Sequence, residues 1–172
     1  MRLPLYSAAE RKRRDLSRWT VVQGVLAPVQ FAVFLLSLFL VLRYLASGDG
    51  QTAATISIIA KTLTLYAIMV TGSLWEHAVF GRYLFARPFF WEDVVSFLVL
   101  ALHTAYLLSL VWGGLDVRDQ MLLALVAYAA YLVNATQFLL KLRAARAERN
   151  TAENPDTEDR AVEQASAAGL AQ

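Results

Sequence analysis

The chain has 172 residues, of which 58% are hydrophobic and only 17% are charged, and this composition excludes a typical soluble domain. It contains no cysteine, which excludes disulfides, thiolate metal sites and a thiol nucleophile. The formal net charge is +2, and the basic residues cluster beside apolar segments instead of forming a nucleic-acid surface.

Residues 1–18 form a basic segment before the first apolar run, and we expect this segment to be cytoplasmic. Ser7 and Glu10 have the spacing of a capping box, which predicts the start of a short helix. The helix is expected to continue to Arg18 and to lie on the membrane surface.

Four apolar runs follow, and each is long enough for a helix that crosses the ~30 Å hydrocarbon core of a bilayer, which needs about 20 residues. The predicted spans are residues 20–45, 53–75, 94–112 and 121–142. They predict an all-α integral membrane protein in which four transmembrane helices form a bundle within residues 19–145. Residues 146–172 are polar and acidic, which predicts a largely disordered tail.

The second and third spans are joined by a segment that we call the bridge, residues 75–93. The bridge contains Arg82 and Arg87, and further basic residues precede the first span and follow the fourth. The other two connections have one arginine each at their margins, Arg43 and Arg118. Because cytoplasmic loops are enriched in Lys and Arg, both termini and the bridge are expected to face the cytoplasm.

Three carboxylic acids stand at the two edges of the bridge: Glu76 at one edge, and Glu92 and Asp93 at the other. An ionisable group at membrane depth is costly, so it is a functional-site hypothesis by default. Two structural alternatives remain open. Glu76 could cap a helix or pair with Arg82, and Glu92 and Asp93 could serve only as favourable charges at the start of the third helix.

Other polar residues lie inside the spans at two depths. The helical rise of ~1.5 Å per residue places His103 about 16 Å beyond Glu92, near the midplane of the membrane. Tyr66 is expected at the same depth. The lower level is Gln23, Glu76, Glu92, Asp93 and Gln137, and the upper level is Gln30, Tyr66, His103 and Asn134, with Lys61 as a further candidate. Such an interior could enclose a flat amphipathic ligand.

Several of these residues also have a purely structural interpretation. His103 could be a hydrogen-bonded core residue, Lys61 could extend outward to the membrane surface, and Asn134 could link two helices. His77 is interpreted as an ordinary interface residue. The two histidines lie at different depths without any cysteine, so neither a zinc site nor a bis-histidine haem is expected.

Several motifs are specific enough to be compared with known families. They are WTVVQ at 19–23, LAPVQF at 26–31, VTGSLWE at 70–76, FGRYLFA at 80–86, FFWED at 89–93 and LHTAY at 102–106. With shorter motifs as far as residue 143, they make the chain between about residues 6 and 146 resemble the 2-vinyl bacteriochlorophyllide hydratase family. The bridge is the most specific part of the resemblance.

The resemblance implies a hydro-lyase of bacteriochlorophyll biosynthesis that adds water to the C3 vinyl group of a chlorophyllide-type macrocycle and gives a 3-(1-hydroxyethyl) group. No cofactor is expected, because the magnesium belongs to the substrate. The expected partners are this tetrapyrrole, the lipid bilayer and other enzymes of the pathway. The expected location is the inner (cytoplasmic or intracytoplasmic) membrane of a phototrophic bacterium. The main alternative is a non-catalytic pigment carrier or photosynthetic-complex assembly factor.

Hydration of a vinyl group needs a proton on the terminal carbon and a water molecule on the inner carbon. A carboxylic acid that stays protonated in an apolar site suits the first step. We therefore predict Glu76 as the proton donor, with Glu92 or Asp93 orienting the water.

Substrate binding is predicted at both polar levels. His103 is a candidate ligand of the substrate magnesium, and Lys61 or Arg82 is a candidate partner of the propionate. The rings of Trp75 and Trp91 could pack on the macrocycle face. The remaining candidates are Tyr66, Gln30 and Asn134.

Overall fold

The structure, a computed structural model, describes residues 5–153 and the side chains as far as residue 147. Every regular element in this range is helical. The elements are α1 (Ala8–Leu16), α2 (Arg18–Ser47), α3 (Gln51–Phe80), a 3₁₀ turn (Arg87–Phe89), α4 (Phe90–Trp112) and α5 (Val117–Glu153).

Four helices are long and apolar enough to cross a membrane: Arg18–Ser47, Gln51–Phe80, Arg87–Trp112 and Val117–Ala147. For residues 5–153, the prediction of an all-α protein with four helices long and apolar enough to span a membrane is therefore confirmed. Each helix extends beyond its predicted span because charge does not end a helix. The first three end at glycines in the left-handed conformation, Gly48, Gly81 and Gly113, where the absence of a Cβ removes the steric penalty.

The third membrane helix begins earlier than its predicted start at residue 94. A 3₁₀ turn leads directly into α4 at Phe90, so Glu92 and Asp93 lie within the first turn of the helix. The fourth helix continues past residue 142 to Glu153 and includes the first eight residues of the predicted tail. The remaining tail, residues 154–172, lies outside the described part of the chain.

The capping box predicted before α1 is present. The Ser7 hydroxyl accepts a hydrogen bond from the Glu10 N–H at 3.3 Å, and the Glu10 carboxylate accepts one from the Ser7 N–H at 2.8 Å. These bonds lower the pKa of the Glu10 carboxyl. α1 ends at Leu16, two residues before the predicted end, because Ser17 is extended and caps α2.

α1 is fixed to the end of α3. The Arg13 Nε donates a hydrogen bond to the Val79 carbonyl at 2.8 Å, which places a positive charge at the negative end of the α3 dipole. Tyr6 stacks on Phe80 with ring centroids 5.7 Å apart. The basic N-terminal segment therefore contacts the same helix end that enters the bridge.

The chain divides into two compact units, and residues 6–135 form the larger one. α2 and α3 pack along each other, and the core of this unit is made of large apolar and aromatic side chains, with Phe34, Val41, Ile58, Val99, Tyr106 and Tyr128 almost fully buried. Apolar side chains such as Leu36 and Val111 remain 59% and 78% exposed, as expected for helices that face lipid. In the second unit, the α5 segment from residue 136 also exposes apolar side chains, including Phe138 and Leu140.

Candidate active site

The bridge brings the three predicted acids together. Glu76 in the last turns of α3 and Glu92 and Asp93 in the first turn of α4 are 5%, 7% and 5% exposed. Arg82 is exposed and is not among the partners of Glu76. The alternative in which Glu76 pairs with Arg82 is therefore not found.

Two of the acids hold the backbone of the bridge. Glu76 Oε2 accepts a hydrogen bond from the Ala86 N–H at 3.0 Å, and Asp93 Oδ2 accepts one from the Phe85 N–H at 2.6 Å. Phe85 has a φ of 58°, a left-handed conformation that costs a non-glycine residue about 1–2 kcal/mol. The charge-assisted bond to Asp93 offsets this strain, so the acids stabilise the path of the loop as well as any chemistry they perform.

The carboxyl groups of Glu76 and Asp93 are close enough to interact with each other, and Glu92 lies close enough to act on Glu76 electrostatically. An ionised carboxylate only accepts hydrogen bonds, so a bond between two carboxyl groups requires a proton on one of them. A hydrogen bond between Glu76 and Asp93 would therefore hold a proton between them inside an apolar protein. A shared proton of this kind can serve general acid catalysis, as in other carboxylate pairs.

Of the two tryptophans predicted to contact the substrate, Trp75 is half-buried and Trp91 is exposed. The Trp75 Nε1 donates to the Thr20 hydroxyl at 3.0 Å, and its ring packs edge-on against Phe89 at 5.4 Å. Trp91 is 69% exposed and packs edge-on against Phe90 at 5.5 Å. Trp75 thus joins α2 to the bridge, and Trp91 presents its ring outward.

Lys61 and His103 are completely buried at the upper level. The Lys61 Nζ lies 3.6 Å from the centroid of the Tyr131 ring, a cation–π geometry, and His103 Nδ1 bonds the Val99 carbonyl at 2.8 Å. His103 Nε2, the Lys61 amine and the Gln30 amide nitrogen have no hydrogen-bond partner. The prediction that His103 lies in the interior is confirmed. Of the two alternatives left open for Lys61, the structure has the interior one, and Lys61 does not extend to the membrane surface.

Two other residues test the predicted depths. The Tyr66 hydroxyl bonds the Thr104 hydroxyl at 2.8 Å, so Tyr66 lies at the depth of His103, as predicted. The Asn134 Nδ2 donates to the Ser96 hydroxyl at 2.8 Å, and Ser96 is one turn from Glu92. The assignment of Asn134 to the upper level was wrong, because counting residues along one helix does not give its register against another.

Sequence reasoning missed a shallow apolar groove beside the acids. It has a volume of about 270 Å³ and is lined by Met69, Val70, Ser73, Leu74 and Leu84. His77 lies one helical turn beyond Ser73 on the same face of α3, and its ring stacks on Tyr83 with centroids 4.1 Å apart and planes 2° from parallel. Its position next to Glu76 was the available signal in the sequence.

Four membrane-capable helices and a buried pair of neighbouring acids within the described residues define a multi-pass membrane protein with a candidate acid–base site. A profile of the family described as 2-vinyl bacteriochlorophyllide hydratase (BCHF) matches residues 6–144, so the chain belongs to this family. The resemblance seen in the sequence motifs is thereby confirmed.

Two relatives carry the name 2-vinyl bacteriochlorophyllide hydratase. The protein of Cereibacter sphaeroides is 60% identical over 152 residues, which are 87% of this chain and 92% of the relative. The protein of Rhodobacter capsulatus is 61% identical over 145 residues, which are 84% of each chain. No solved structure is significantly similar to the chain.

Proposed function

We propose that this protein is a hydro-lyase of bacteriochlorophyll biosynthesis that adds water to the C3 vinyl group of a chlorophyllide-type macrocycle. Membership of the hydratase family over most of the chain supports the reaction. The observation that carries the site is the pair of neighbouring buried acids, Glu76 and Asp93, which bond consecutive backbone N–H groups of the bridge.

The proposed reaction takes place in two steps, and one water molecule is all that is added to the substrate. Glu76 gives its proton to the terminal vinyl carbon, which becomes a methyl group, and the positive charge that forms on the inner carbon is delocalised into the conjugated ring. Water then bonds to the inner carbon through its oxygen and loses one proton to a carboxylate. The product is the 3-(1-hydroxyethyl) group, and the proton returned to the acids restores the starting state.

The three acids have different roles in this proposal. Asp93 shares the proton with Glu76 and keeps Glu76 protonated in the resting protein, since the two charges would repel each other in an apolar site. Glu92, which lies near Glu76 in the first turn of α4, orients the attacking water and accepts its proton. Burial protects the cationic intermediate from reactions other than the intended hydration.

The proposed site lies at the cytoplasmic edge of the inner membrane, with both chain termini on the same side. The support is the distribution of basic residues, since Arg13, Arg82 and Arg87 all lie at the α1–α3–bridge end of the larger unit. Water is available at this edge and absent from the bilayer centre. Nearby pathway enzymes on the cytoplasmic side would then share access to the same pigment.

Arg82 is the proposed partner of the substrate propionate, because it is exposed in the bridge near the acids. Lys61 lies 15 residues before Glu76 on α3, about 22 Å along the helix, and is less suited to this role. Trp91 is proposed to cover part of the macrocycle face, and the protein needs no resident cofactor, because the magnesium arrives in the substrate. The roles of His103, Tyr66, Gln30, Trp75 and Asn134 in binding stay predictions.

The test uses membranes that contain this chain alone, supplied with 3-vinyl chlorophyllide and analysed by chromatography with mass detection. The expected product is heavier than the substrate by one water molecule. Pigment that co-purifies with the protein and is recovered unchanged after prolonged incubation would contradict the proposal and support the carrier function.

A further inference from the structure

The apolar groove on α3 is directly connected to the acid pair by three consecutive residues of the bridge. Leu84 lines the groove, the Phe85 N–H bonds Asp93, and the Ala86 N–H bonds Glu76. The groove therefore borders the loop residues that bond the two acids. No further residue of the bridge separates Leu84 from the two residues that bond the acids.

The lining of the groove suits a flat apolar ring that arrives from the bilayer. Four of its five side chains are apolar, and Val70 is 62% exposed on the surface that faces lipid. The groove is open on one side and too shallow to enclose a macrocycle, so it can contact only one face of a large ring. The other face would remain outside the groove.

The size of the macrocycle limits where a magnesium ligand can stand. A path of one Mg–N bond of about 2.1 Å and four bonds of about 1.3–1.5 Å joins the metal to the terminal vinyl carbon, so the two are at most about 8 Å apart. If the vinyl group meets Glu76, the axial ligand must therefore be a close neighbour of Glu76.

The chain has two histidines, and only one of them meets this requirement. His103 is ten residues beyond Asp93, about 15 Å along α4. It has no exposed surface, and its ring packs against Tyr128 at 5.9 Å. His77 follows Glu76 directly, is exposed, and lies one turn beyond Ser73 on the face of α3 that carries the groove.

The setting of His77 is also that of a ligand. Its ring is held parallel to Tyr83 at 4.1 Å, which fixes the direction of its nitrogens. Within residues 5–147, no hydrogen bond occupies those nitrogens. A neutral imidazole nitrogen is the commonest protein ligand for a metal, and the four ring nitrogens of a tetrapyrrole leave the axial position of its magnesium open.

We propose that the α3 groove docks one face of the magnesium macrocycle from the bilayer and that His77 is the axial ligand of the magnesium. This inference rests on the proposed function, since it takes the vinyl substrate as the occupant. It replaces the predicted ligand, His103, with a residue that the macrocycle can reach without opening the core.

The experiment compares binding of two probes, magnesium 3-vinyl chlorophyllide and its metal-free counterpart, to the purified full-length protein in lipid nanodiscs. Wild-type protein should prefer the magnesium form by at least about tenfold, the scale on which changes around a metal centre alter affinity. His77→Phe keeps a ring that can stack on Tyr83 but removes the nitrogen, so the preference should disappear and free imidazole should restore it. His103→Leu should keep the preference.

A preference for the magnesium form that survives in His77→Phe would overturn the ligand assignment. The assignment would also be overturned if a folded His103→Leu protein lost this preference and His77→Phe kept it. The groove is tested by Ser73→Phe, which should weaken binding of both probes, against Ala32→Phe at an exposed position of α2. Equal binding by Ser73→Phe and wild type would overturn the docking site.

Product formation is followed separately in the same nanodiscs. Hydrated product from wild type together with an unchanged magnesium preference in His77→Phe would reject this inference and leave the proposed function standing. Selective binding that depends on His77, without any product from wild type, would reject the proposed function and leave the docking site standing.

Discussion

The two buried polar clusters of this protein differ in how their groups are satisfied. At the bridge, Glu76 and Asp93 accept hydrogen bonds from two backbone N–H groups and lie close enough to interact with each other. In the upper cluster, the Lys61 amine and the free nitrogens of His103 and Gln30 have no hydrogen-bond partners, and aromatic rings surround the first two. Burial alone therefore does not identify a catalytic site.

The difference has a physical consequence for each cluster. A proton held between two carboxyl groups can be given to a substrate and recovered from water. The loop and the groove at the bridge are the routes by which the substrate and the water can approach the acids. An unpartnered amine deep between helices has already lost its hydration without replacing it, which lowers the stability of the fold. The bridge cluster is therefore expected to control turnover, and the upper cluster is expected to affect mainly stability.

Replacing Glu76 with Gln should reduce turnover by about 100-fold or more, the usual contribution of a general acid. The amide keeps a carbonyl oxygen for the Ala86 N–H, so the loop and pigment binding should persist. Turnover and bound pigment are measured in the same preparation.

Glu10→Gln is the matched control, because glutamine also completes a capping box and Glu10 is remote from the bridge in sequence. It should retain wild-type turnover. Full turnover in Glu76→Gln would remove Glu76 from the mechanism. The bridge cluster would then have no more control over turnover than the upper cluster.

Replacing Asp93 with Ala should lower the free energy of unfolding by about 1.5–3 kcal/mol, the range for a hydrogen bond to a charged group. The strained Phe85 would lose the acceptor for its N–H, so proteolysis within residues 81–86 should also become faster. Denaturant unfolding in detergent gives the first quantity. Asp49→Ala, in the exposed connection between α2 and α3, should change neither the free energy of unfolding nor the rate of proteolysis. An equal effect of Asp49→Ala would argue against a stabilising role for the bond between the Phe85 N–H and Asp93.

Replacing Lys61 with Met should raise the free energy of unfolding by about 1 kcal/mol. Removing an amine without hydrogen-bond partners should gain more than the lost cation–π contact with Tyr131, which contributes about 0.5–2 kcal/mol. Thermal unfolding of both proteins in the same detergent measures the change. A stable variant with severely reduced turnover would instead place Lys61 in the reaction.

Replacing Arg13 with Gln should have the smallest effect, a loss of about 0.5 kcal/mol of stability, since Arg13 is exposed and its bond to the Val79 carbonyl is only partly buried. Lys12→Gln, one residue away and exposed, should have no measurable effect. If both variants behave alike in thermal unfolding, α1 does not depend on this contact with α3.

Much of the fold could be predicted from the sequence because membrane helices are marked by length and apolarity. The same holds for the capping box of α1, which depends on two residues three positions apart. Helix ends were less predictable, since hydropathy falls at the first charges whereas α3 continues to the glycine at position 81.

The membership of the candidate site was predictable, but its geometry was not. Glu76 and Asp93 were selected because acids at membrane depth are costly, and in the structure they bond the adjacent backbone N–H groups of Ala86 and Phe85. The bonds to Phe85 and Ala86 depend on the path of the bridge, and the depth of Asn134 depends on the register of α5 against α4. Neither the path of the bridge nor the register between two helices can be predicted from residue spacing along one helix.

Infrared difference spectroscopy of the carboxyl groups tests the shared proton between Glu76 and Asp93 most directly. Wild-type protein at neutral pH should show the carbonyl band of a protonated, hydrogen-bonded carboxyl group, and the band should shift in heavy water. It should be absent or displaced in Glu76→Gln and in Asp93→Asn and unchanged in Glu10→Gln. A wild-type spectrum with only ionised carboxylates at these positions would contradict the shared proton and the acid catalysis derived from it.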